Sequence, residues 1–134
     1  MSHPGQLEAM YTRLHESLVD LCEVLLHSRS DAEVLNAFRA SGKAAIELFD
    51  LEEREMEASG CPALALNRTG HDKFRQEISN LYAQYKGERS GIRAAGDLRR
   101  QLLPWLQEHH VVVDRQLEHH LRRIASASAS SERG

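Results

Sequence analysis

A chain of 134 residues has the length of one domain with a hydrophobic core of its own and is too short for two. With 41% apolar and 28% charged residues, three prolines and eight glycines, its composition excludes a collagen, a disordered chain or a disulfide scaffold and favours long regular elements. The formal charge of -3 offers no general attraction to phosphate backbones or anionic lipid, so neither nucleic acid nor a membrane is an expected partner.

The first apolar stripe, Leu7, Met10, Tyr11, Leu14, Leu18, Leu21, Cys22 and Leu25, advances in steps of three and four and predicts an amphipathic helix over about 6–27. Ser30 followed by Glu33 is a capping-box signature, so a second helix is expected to start there. Its stripe runs Val34, Leu35, Phe38, Ala45, Leu48, Phe49 and Met56, and Gly60-Cys61-Pro62 stops it near residue 58. A third stripe, Leu64, His71, Phe74, Ile78, Leu81, Tyr82 and Tyr85, predicts a helix over about 64–86 that fades at Gly87. Asp97 can cap a last helix with the inner face Leu98, Leu102, Leu106, His109, Val113, Leu117, Leu121 and Ile124, in which Pro104 predicts a bend or a delayed start. The Ser/Ala-rich stretch 126–134 reads as a flexible tail behind a domain of residues 1–125. Four stripes with short connections and no strand signal predict an all-α fold, an antiparallel up-down four-helix bundle.

Eight histidines are unusual for this length, and their placement carries chemistry. His15, Glu52, His71 and His109 fall on stripes that should be apolar. Asp114 lies five residues beyond His109, a rotation of about 140° in a regular helix, and a single wide turn of the π type between them would bring both inward. Buried acids and imidazoles need partners, and one divalent ion satisfies several at once. Three imidazoles and two carboxylates suit iron, manganese or zinc. His120 is expected to be half-buried at the bundle end, while His3 and His27 are expected to be exposed. Cys22 reads as a small core residue and Cys61 as the more reactive loop thiol, both free in a reducing compartment. The opening Met-Ser-His-Pro-Gly lacks the apolar stretch of a signal peptide, which makes the cytoplasm the expected location.

Several segments together resemble one known family, the hemerythrins and bacteriohemerythrins. Trp105-Leu106-Gln107-Glu108-His109 followed by Asp114 is similar to that family's Trp-Leu-x-x-His-x-x-x-x-Asp motif, and Phe49 to Met56 to its Phe-x-x-Glu-Glu-x-x-Met segment. Pro62 and His71-Asp72-Lys73-Phe74 match a further segment, and His15 fits the first-helix histidine. The resemblance spans about residues 11–117. It implies a non-haem di-iron site in which Glu52 and Asp114 bridge the irons and His15, His71 and His109 serve as terminal ligands. Where the family carries two further histidines this chain has Leu48 and Asn67. That loss leaves one metal ion, or none, as open alternatives, with water, Glu55 or His110 as completing groups.

The expectation is a small, non-enzymatic iron-binding domain that binds or senses oxygen or another small diatomic ligand and works with an output domain or protein partner. Two other readings remain open. One is a metal-free bundle acting as a regulatory, partner-binding module. The other is a di-iron oxidase or peroxidase using the vacated coordination positions.

Overall fold

The computed structural model describes the backbone of residues 4–28 and 30–133 and the side chains of 5–28 and 30–127. Four helical rods make up the molecule, and no strand occurs among the described residues. They are α1 (Pro4–His27), α2 (Asp31–Ser59), α3 (Leu64–Glu88) and a composite fourth rod. That last rod consists of α4 (Ile92–Asp97), a π-helical turn at Leu98–Leu102 and α5 (Leu103–Arg133).

Each rod buries the stripe that its sequence presents. Leu14, Leu18, Leu21 and Leu25 of α1 meet Val34, Phe38, Ala45, Leu48, Phe49 and Met56 of α2, Phe74 and Leu81 of α3, and Leu98, Leu102, Leu106 and Val113 of the fourth rod. Side-chain pairs tie the rods together. Arg13 meets Glu47, Arg68 meets Glu53, Arg75 meets Asp50, Asn67 meets Gln116 and Phe74 meets Trp105. Val111-Val112-Val113 stays helical, with only Val113 buried.

The helix ends follow local chemistry. At Ser30 half of the expected capping box forms: its hydroxyl accepts from the Glu33 N–H. The other half is rerouted, because the Ser30 N–H goes to the Ser28 hydroxyl, which itself donates to the Glu33 carboxylate. Gly60 closes α2 in the left-handed region, φ 66°, with its N–H on the Glu57 carbonyl and the Cys61 N–H on that of Met56. These two bonds satisfy carbonyls that the helix leaves open, and buried Cys61 packs behind them. Burial removes Cys61 from the exposed loop position expected of a reactive thiol. Cys22 is buried as expected, facing the Ala95 carbonyl and the Arg99 guanidinium.

Two boundaries differ from the sequence reading. Helix α3 continues through Gly87 and ends on Arg89, a non-glycine residue in the left-handed region. The fourth rod starts at Ile92, so Asp97 lies within it, bonded to Arg100, and caps nothing. The disturbance expected of Pro104 appears as the π turn just before it. Leu103 donates to the Leu98 carbonyl, a wider loop that eases the conflict between a proline ring and the carbonyl four residues earlier.

Toward its C-terminus α5 outruns the bundle. The His120 Nε2–H donates to the carbonyl of Ser59, the last residue of α2, at 2.6 Å. Leu121 and Ile124, expected on the inner face, are exposed and line an open cleft against Leu51, Arg54, Glu55, Ala58 and Ser59 of α2. Helix α5 itself continues to Arg133 through the Ser/Ala-rich stretch expected to be a tail. Alanine and serine impose little penalty on a helix already propagating. No described helix is long and apolar enough to cross a membrane.

Candidate metal centre

Glu52 comes from α2, one turn after Leu48 and one before Met56, so the core-facing stripe carries its carboxylate inward. His71 of α3 and His109 of α5 reach the same point from two other rods. Their side chains are 1%, 0% and 9% exposed respectively. Glu52 Oε1 lies 2.8 Å from His71 Nε2 and 3.1 Å from His109 Nε2, and the two nitrogens are 3.1 Å apart.

Aromatic rings hold these imidazoles in place. Phe49 stacks on His71 at 4.1 Å and 7°, while Trp105 stacks on His109 at 4.6 Å and 10°. Phe74 packs edge-on against Phe49 and tilted against Trp105, completing an apolar wall. On the other side of Trp105 lies a cleft of about 290 Å³ lined also by Lys73, Phe74, Glu77 and Gln101. A second open cleft, about 610 Å³, sits where α5 outruns α2, between Leu51, Arg54, Glu55, Leu121 and Ile124, and includes none of the three donors.

Glu53 is the participant that the sequence reading missed. Its Oε2 lies 2.7 Å from His71 Nδ1, and its Oε1 accepts from Arg68 Nε at 3.0 Å. A carboxylate only accepts, so Nδ1–H donates to Glu53, and without a metal Nε2–H donates to Glu52; a metal ion would take the place of that Nε2 proton. The signal was in the sequence as the second acid of Glu52-Glu53. Its lateral reach to the next helix is a tertiary fact.

Charge is concentrated here. Burial opposes the Glu52 anion, but hydrogen bonds from His109 and His71 and their positive field outweigh it and hold its carboxyl below the ordinary carboxylate range. Burial likewise opposes Glu53, and His71 with Arg68 brings it below that range. One carboxylate oxygen and two imidazole nitrogens aimed at a common point need a cation among them, either a proton on a ring or a metal ion.

The five residues expected to form a centre divide. Glu52, His71 and His109 come together; His15 and Asp114 do not join them. The wide turn sits at Leu98–Leu102, upstream of His109, so the 109–114 stretch is regular helix and the rotation of about 140° stands. Asp114 is consequently exposed and faces His110. His15 is half-buried beside Tyr11, with ring centroids 6.0 Å apart. Leu48 is wholly buried packing. Asn67 directs its amide nitrogen to the Ala63 carbonyl, the Gln116 side-chain oxygen and the Met56 sulfur. Glu55 lines the open cleft and His110 joins a different cluster. His120 is half-buried, His27 is exposed beside Glu23, and His3 lies outside the described residues.

Donors bound to one ion at about 2.1 Å are about 3.0 Å apart when neighbouring in an octahedron and about 3.4 Å apart in a tetrahedron. Separations of 2.8–3.1 Å fit one face of an octahedron. The set therefore suits a single ion with further positions open. Glu52 alone could bridge two ions, but a second ion would need further donors beyond these three. Comparison of the chain with family models, curated proteins and solved structures gave no match.

Proposed function

We propose that the chain is a hemerythrin-like, antiparallel up-down bundle that binds one iron ion through Glu52, His71 and His109 and presents it to oxygen or another small diatomic ligand. The carrying observation is the mutual approach of three donor atoms from three helices to within 3.1 Å. Two imidazoles and one carboxylate on one face, with the remaining positions open, are a donor set suited to ferrous iron. Iron held by these three residues would supply a redox-active centre.

The chain's own groups prepare that centre. Glu53, itself anchored by Arg68, fixes the His71 tautomer and leaves its Nε2 free to coordinate. Phe49 and Trp105 fix the ring planes, and Leu48, Phe74 and Leu106 belong to the buried apolar surround that keeps bulk water away. The resemblance of residues 11–117 to hemerythrins favours iron over zinc.

Iron content decides the matter. Protein made anaerobically with iron supplied is expected to hold about one iron at this centre, and Glu52→Ala/His71→Ala to lose it. Equal, near-zero iron in both proteins, with a melting temperature indifferent to chelator, would overturn the proposal. That result would favour the metal-free regulatory bundle, a reading supported by the buried Leu48 and by the Asn67 amide nitrogen, which meets three acceptors.

A further inference from the structure

A second set of ligand-type side chains lies between α1 and α5. His110 Nε2 is 2.7 Å from Glu8 Oε2 and 3.5 Å from Asp114 Oδ2, and the three donor atoms lie within 4.8 Å of one another. Tyr11 stacks on the His110 ring at 3.8 Å and 4°, and that imidazole is 10% exposed. The ring is thereby fixed with Nε2 directed at the two acids. Glu8 and Asp114 are 62% and 50% exposed, so water can reach any remaining coordination position.

Charge at this point is out of balance. Among the described residues neither acid meets a lysine or arginine; each pairs only with His110. One imidazole carries at most a single positive charge against two negative ones. Burial raises the Asp114 carboxyl above its ordinary range, with Glu8, Glu52 and Glu118 adding to the shift and His110 opposing it. Two carboxylates held near one imidazole nitrogen gain more from a divalent ion than from a shared proton.

We propose that Glu8, His110 and Asp114 form a second, surface site for a divalent cation of the zinc class, completed by water. Donors around such an ion at about 2.1 Å stand about 3.0–3.4 Å apart, a spacing that small rotamer changes of the two exposed acids provide. His110 and Asp114 sit one turn apart on the same face of α5, and Glu8 reaches across from α1. The ion clips the first turns of α1 to the middle of α5. His109 and His110 diverge by about 100° around the helix, so adjacent imidazoles serve separate sites. This site uses none of the three inner donors and stands whether or not they bind iron.

Calorimetric titration with Zn²⁺ tests it on three proteins: wild type, Glu8→Gln/Asp114→Asn, and Glu52→Gln/His71→Gln. The inner-site variant is expected to retain one Zn²⁺ per chain and to gain melting temperature with it. The outer-site variant is expected to lose that equivalent or to bind it at least about tenfold more weakly. Both of its substitutions are at exposed acids, so its metal-free melting temperature should match wild type. If the outer-site variant takes up as many ions as wild type, equally tightly, the proposal is overturned. That comparison stands even if the inner-site variant fails to fold. Wild type and the inner-site variant taking up the same single Zn²⁺ would leave the outer site intact and count against metal binding at the inner donors, a result independent of the outer-site comparison.

Discussion

Glu52 carries a negative charge in the centre of the bundle, within 3.1 Å of two imidazole nitrogens. Its folded-state carboxyl titrates below the ordinary range. The associated stability is therefore present above the ordinary carboxylate pKa and is lost as pH falls through the lowered folded value. Glu53 has the same sign. With metal chelated, the urea midpoint of the wild type should fall as pH drops below about 4–5. Glu52→Gln should have a flatter acid limb and, near neutrality, lose about 3–5 kcal/mol, the usual cost of leaving a buried partner unpaired. Parallel curves for the two proteins would show that the charge on Glu52 is not what holds this cluster together. At this scale the apolar stripes pointed to Glu52, His71 and His109, which the structure brings together, and also to His15, which it leaves half-buried beside Tyr11. The sequence was uninformative for Glu53 and Glu8, whose partners lie on other helices and whose own positions are ordinary for surface acids.

The helices themselves were legible because each repeats one pattern for six or more turns and because Ser30 and Gly60-Cys61-Pro62 announce their ends chemically. The connection between α3 and α4 was not, for a reason visible only in three dimensions. A Cβ on Gly91 would lie 1.9 Å from the Leu25 carbonyl oxygen, so the start of α4 touches the end of α1 backbone to backbone. That contact, not Asp97, fixes where the fourth rod begins. Arg89 adopts its left-handed turn, φ 53°, to deliver the chain to it. Gly91→Ala should therefore cost about 3 kcal/mol, because the atom that must move is main chain. Gly87→Ala is the control: nothing lies within 4 Å of the added carbon, and the change should be neutral or stabilising by up to about 1 kcal/mol. Thermal denaturation of the two variants checks this, and equal melting temperatures would mean that α1 and α4 can separate at little cost.

Across the whole molecule, the four-rod architecture and the convergence of three donors could be read from periodicity alone. His15 and Asp114 stay outside the inner cluster for different reasons: α1 is regular and holds His15 half-buried beside Tyr11, while Asp114 lies about 140° around α5 from His109. Whether a side chain on a helix faces the centre depends on every turn upstream of it, and a single residue of irregularity rotates all that follows by about 100°. Sequence signalled a disturbance near Pro104 but not its kind, and the location of the wide turn decides which acid accompanies His109.

That turn also gives the fourth rod a numerical peculiarity. The bond from Leu103 to Leu98 encloses one residue more than an ordinary helical turn does. Removing Arg100, together with Pro104→Ala to restore a donor, should close the ladder into plain α-helix while Trp105, Leu106 and His109 keep their bearings. Removing Gln107 instead should swing His109 away by about 100° and abolish iron uptake there. If both shortened chains lost iron alike, the surplus residue would be a fixed part of the scaffold; if only the second did, the rod tolerates a change of length on one side of its proline and none on the other.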